Sequence, residues 1–114
     1  MSAPHDRPTT VELVEAVREF LEQEVMAATE GSVRFHARVA ANVLAIVERE
    51  LTEGPAQAAA HAERLARLGV ASEEELAAAI RAGALDDRRA EVRAAVWETV
   101  VDKVRVANPR HLER

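Results

Sequence analysis

The chain has 114 residues, 48% of them hydrophobic but only 3% aromatic, and a formal net charge of -5 with both signs mixed along its length. That length suits one modest core, and scattered charge without a concentrated basic face excludes nucleic acid as an expected partner. The lack of any cysteine excludes disulfides, thiolate catalysis and cysteine-ligated metal or iron–sulfur sites.

No apolar run approaches the length of a membrane span, and the opening MSAPHDRPTT lacks the apolar stretch of a signal peptide. The expectation is a cytoplasmic protein with no membrane partner. Residues 1–9, polar and carrying Pro4 and Pro8, are expected to form a flexible arm ahead of a single helical domain over residues 10–110. Thr9 and Glu12 match a capping box, and Leu13, Val14, Val17, Phe20, Leu21 and Val25 then recur at helical spacing, which predicts a first helix over 11–28. Glu12, Glu15, Glu19 and Glu22 form an acidic stripe on it, read as a solvated face partly paired with Arg18. Gly31 closes the segment.

Ser32 is placed to cap a second helix running to about Thr52, where Gly54-Pro55 stops it. Phe35, Val39, Val43, Ile46 and Val47 are its expected buried stripe, widened by Leu44 and Leu51. Pro55 opens a third helix over 56–68, mostly alanine, with Leu65 and Leu68 as its large anchors and Gly69 as its terminator. Ser72 and Glu75 form a second capping box for a short fourth helix ended by Gly83. A last helix over 88–107 carries Val92, Val96, Val100 and Val104, with Trp97 and Val101 beside them, and Asn108-Pro109 closes it. Nothing keeps a strand's alternation, so the predicted fold is all-α, a small antiparallel bundle of four to five helices. Alanine makes helices readily but fills a core poorly, which gives the chain a motive to form a homo-oligomer.

The spacing supports no metal site: neither His36 nor His61 has a ligand one helical turn away, and the Glu-x-x-His pairing of bundle metal sites is missing. No glycine-rich phosphate loop occurs, the serines sit in the arm or at caps, and no cofactor is expected. Glu98 and Asp102, one turn apart, could divide acid–base work, but neighbours such as Lys103 and Arg105 are placed to neutralise them. No residue is assigned as catalytic, and an enzyme acting alone is the last of the readings. The polar insert of the second helix is the better candidate. Arg34 and Arg38 share a face and can grip a phosphate or carboxylate, Asn42 continues that edge, and His36 lies nearer the apolar stripe. Two readings of it stand. The insert is a ligand- or partner-binding cluster, or its arginines pair with the first helix's glutamates around a half-buried imidazole.

The run RFHARVAANVL over residues 34–44 resembles a small bacterial family of domains of unknown function; PTTVEL at 8–13 and KVRVANPR at 103–110 are similar to its two ends. The resemblance implies a genomic setting beside a kinase of the aminoglycoside-phosphotransferase type and an acyl-CoA dehydrogenase-like protein. It further implies catabolism of hydroxyacyl-CoA compounds in which the 4-hydroxyl is phosphorylated and then lost. The small protein would be an accessory subunit of that kinase, the partner supplying nucleotide and metal. Arg34, His36, Arg38, Asn42 and Arg110 are the expected ligand- or partner-binding residues. The alternative is a self-associating module that binds an acyl-CoA or another acidic small molecule through Arg34, Arg38 and Arg110.

Overall fold

The computed structural model describes residues 7–113. Most of the expected N-terminal arm therefore lies outside the described residues. Every regular element among the described residues is helical: α1 (Thr10–Phe20), α2 (Met26–Ala28), α3 (Gly31–Arg67), α4 (Glu73–Arg81) and α5 (Arg89–Ala107), with short 3-10 turns at Asp86–Arg88 and Pro109–Glu113. The fold class is all-α. The chain divides into two compact units, Met1–Gly54 and Pro55–Arg114.

In the first unit, α1 begins with the predicted capping box. The Thr9 hydroxyl accepts from the Glu12 amide and the Glu12 carboxylate accepts from the Thr9 amide, satisfying two helix-end donors at once. Leu21–Val25 then forms a π-helical turn that periodicity did not foretell. There the Met26 amide donates to the Leu21 carbonyl five residues back, inserting one residue into the helical register. The run ends at Thr29, which turns extended while its hydroxyl donates to the Val25 carbonyl at 2.6 Å. The helical run therefore ends at Ala28, where the spacing predicted, with Thr29 as its terminator.

Gly31 instead opens α3, with a φ of +62° that a side chain would strain. Ser32 lies inside the helix, and its carbonyl accepts from His36. The predicted stop at Gly54-Pro55 is overturned as well, because α3 runs to Arg67 with Pro55 in its interior. Proline disfavours a helical predecessor chiefly by crowding that residue's Cβ, and here the predecessor is a glycine with none.

The largest correction concerns burial. Phe35, Val39 and Val43 are not core; Phe35 is 63% exposed. Ile46 and Val47 are half-buried, and the residues that α3 buries in this unit are Ala37 and Ala41, the latter to 2% exposure. Small side chains let two helix backbones approach closely, so the alanines became the packed seam. Arg18 of α1 clamps that seam. Its guanidinium donates to both oxygens of Glu48, one contact at 3.3 Å, and to Glu22 one turn along α1 at 2.6 Å. The Glu48 hydrogen bond, followed by the attraction of both carboxylates, pushes the Arg18 pKa up. A two-residue link at Thr29 and Glu30, with Arg18 meeting Glu48, makes this unit an antiparallel helical hairpin.

In the second unit, α3 from Pro55 onward packs with α4 and α5. The pairs Gln57 with the Asp102 carbonyl (3.0 Å), His61 with Thr99 (3.3 Å) and Arg88 with the Arg67 carbonyl (2.8 Å) run in opposite order along α3 and α5, so the two are antiparallel. Leu65 and Leu68 are buried as their isolated size in an alanine helix predicts, and Leu85 joins them from the α4–α5 connection. Both glycine terminators behave as read. Gly69 and Gly83 each take φ +79°. The next residues, Val70 and Ala84, donate back to Leu65 and Ala79, closing two Schellman caps. Ser72 caps α4 through the Glu75 amide at 3.1 Å, although Glu75 reaches the Ala71 amide rather than that of Ser72.

Candidate functional site

The predicted insert sits on the first turns of α3, and its residues are exposed. Arg34, Arg38 and Asn42 follow at four-residue steps and so share one side of the helix. Among the described residues neither arginine has an ion-pair partner, while Glu22 and Glu48 pair with Arg18. Gly31, Arg34, Phe35 and Arg38 line a shallow depression of about 380 Å3. His36 is exposed rather than half-buried. Its Nδ1 donates to the Ser32 carbonyl at 2.7 Å, and its ring meets Phe35 edge-on at 5.5 Å between centroids. A carbonyl can only accept, so in the neutral ring Nε2 is left as an acceptor facing solvent. Arg110 lies in the C-terminal 3-10 turn of the other unit and is exposed.

Around this insert the hairpin displays large apolar side chains. Leu13, Val17 and Phe20 share one side of α1 and are each about half exposed; Phe35, Val39 and Val43 share one side of α3. Periodicity detected both stripes. It could not tell that neither would be covered within its own unit.

The second unit holds a polar cluster that sequence spacing missed. Glu73 Oε1 stands 3.3 Å from His61 Nε2 and 3.7 Å from Lys103 Nζ, while the other ring nitrogen of His61 meets the Thr99 hydroxyl. Asp102 pairs with Arg64 at 3.1 Å and lies 3.9 Å from Arg105. Apart from the local Asp102–Arg105 pair, these contacts join residues 12 to 38 positions apart on three helices, so no local motif announces them. Beside them lies an apolar groove of about 520 Å3, walled by Ile80, Leu85, Val92, Val96, Val100 and the 65% exposed Trp97. Among the described residues, no three metal-ligating side chains converge, and no helix is long and apolar enough to cross a membrane.

Comparison with known proteins finds no match among curated proteins and none among solved structures. One family model does match, over residues 27–111, a span that takes in the RFHARVAANVL run, α4 and all of α5. The chain therefore belongs to the domain of unknown function family DUF6285.

Proposed function

We propose that this protein is an interaction subunit whose work is to bind and complete a partner enzyme, with no chemistry of its own. The observation that carries this reading is the hairpin's outward display of Leu13, Val17, Phe20, Phe35, Val39 and Val43. Rows of exposed large apolar side chains cost free energy in water, and a docked partner would relieve that cost. The resemblance read from the sequence points to the partner's class, a hydroxyacyl-CoA kinase of the aminoglycoside-phosphotransferase type, which would bring the nucleotide and its metal. Arg34, Arg38 and Asn42 flank the apolar stripe as a polar rim, the arrangement in which charged residues set orientation and exclude wrong partners.

The test is co-purification with that kinase. A complex on size exclusion at micromolar concentration, with kinase turnover raised by this chain, is the expected result; Phe35→Asp and Val39→Asp should each dissolve it. Separate elution and unchanged turnover would end this reading. A concentration-dependent dimer of this chain alone, with no affinity for the kinase, would favour the self-associating module instead. The unpartnered Arg34 and Arg38 beside their depression support that second reading, in which they hold an acidic ligand.

A further inference from the structure

The groove beside Trp97 lies wholly within the unit after Pro55, and its two ends differ in chemistry. Arg89 and Arg93, one helical turn apart at the start of α5, line it at one end. Both are exposed, and among the described residues neither has an ion-pair partner. The positive end of the α5 dipole adds to their charge. Asp86 is the one acid in the lining, so cations exceed anions there. Further along α5 the lining is Val96, Trp97 and Val100, with the buried Leu85, and it offers no charged group. From Arg89 to Val100 the helix rises ~16 Å.

Those features select an occupant. An apolar groove under an exposed indole gains by shedding water, and two unpaired guanidiniums at one end of it call for an anion. The α5 helix of a second copy fits poorly. Arg89, Arg93 and Lys103 fall on one side of that helix, so laying α5 against itself in either direction sets cation against cation. The volume, about 520 Å3, lies within the ~300–1,000 Å3 range of small-molecule sites. At ~30 Å3 for each water-sized group, about 17 such groups fill it. We infer that this groove binds a free fatty carboxylate of medium chain length, its head group held by Arg89 and Arg93 and its alkyl chain lying along Val96 and Val100 against Trp97.

Decanoate, kept below its micelle concentration, is the probe, titrated into the intact protein. Trp97 is the chain's one tryptophan, so its fluorescence reports the groove directly. A saturable emission change is expected, with decanol and decyltrimethylammonium at least tenfold weaker. Octanoate should be about tenfold weaker as well, for the loss of two buried methylenes. Arg89→Gln combined with Arg93→Gln should weaken decanoate at least tenfold, leave decanol unchanged and remove the salt dependence of binding. Val96→Glu puts a carboxylate where the chain lies and should abolish binding in calorimetry. Both variants change exposed side chains, and circular dichroism checks that the helices persist. Equal affinity for decanol and decanoate, or unchanged affinity in the arginine variant, would overturn the inference. So would a dimer that Val96→Glu dissolves and decanoate leaves intact, which would give the groove to a second copy. Binding to phosphatidylglycerol vesicles without binding of monomeric decanoate would overturn it too, in favour of a membrane surface.

Discussion

The two units spend similar helical material in opposite ways. The hairpin before Pro55 packs on alanine, with Ala37 and Ala41 at its seam, and leaves Phe20, Phe35 and Val43 outside. The unit after it hides Leu65, Leu68 and Leu85 and wraps them with a cluster of ion pairs. The difference is one of layers. Two helices make a single layer, which can bury one narrow seam and must show its remaining apolar faces; three helices enclose a space. The hairpin leaves whole apolar stripes outward, whereas the three-helix unit buries a leucine core and keeps Ile80, Val96, Val100 and Trp97 at an open groove.

The sharpest way to break that contrast is truncation on both sides of it. Leu65→Ala or Leu68→Ala should cost about 2–4 kcal/mol in chemical denaturation, the usual cost of emptying a buried leucine position. Phe35→Ala should change the stability of the isolated chain by less than about 1 kcal/mol, since the ring is exposed. Comparable losses at Phe35 and Leu68 would mean that the hairpin's outer face is covered in solution. Enlarging the seam is the next test. Ala41→Leu should destabilise by about 1–3 kcal/mol through overpacking, whereas Ala58→Leu, at an exposed position, should be near neutral. An Ala41→Leu hairpin as stable as the parent would show that the seam is not close-packed.

The clamp and the caps have smaller expected effects. A double-mutant cycle on Arg18→Met and Glu48→Gln should return a coupling of about 1 kcal/mol, because the pair is only partly shielded from water. Thr9→Ala should cost about 1 kcal/mol as a lost N-cap. Its partner adds a pH signature. The Thr9 amide, first among several contacts, holds the Glu12 carboxyl below its ordinary value of 4.5. A carboxyl lowered on folding stabilises the native state above its unfolded pKa and loses that contribution as pH falls through the folded value. Glu12→Gln should therefore be less stable than the parent at neutral pH, and urea melts of the two should converge on acidification. A difference that persisted unchanged well below the carboxylate range would assign the loss to packing rather than to charge.

Residues whose role depends on near neighbours could be read directly from the chain. The capping box at Thr9, the terminators Gly69 and Gly83 and the all-α class all rest on contacts within about five positions, which spacing encodes. Turn signals failed where the backbone had a way round them. A glycine ahead of Pro55 removed one of the clashes by which proline ends a helix, and Gly31 served as an entrance rather than a stop.

What tertiary structure alone decided is which apolar stripe found a neighbour. The sequence marked Phe35, Val39 and Val43 as apolar at helical period, but periodicity is a property of one helix and burial a property of two. The α1–α3 seam chose the small faces, where backbones can come closest, and left the large ones outward. The same holds for Arg64. Its position in an alanine-rich helix carried no signal, and only the approach of α5 placed Asp102 against one edge of its guanidinium and left the other edge facing no acceptor. Helix formation is local physics and was legible in the residues; the exposed face of α3 and the ion-pair cluster of the second unit are products of packing between segments far apart in the chain.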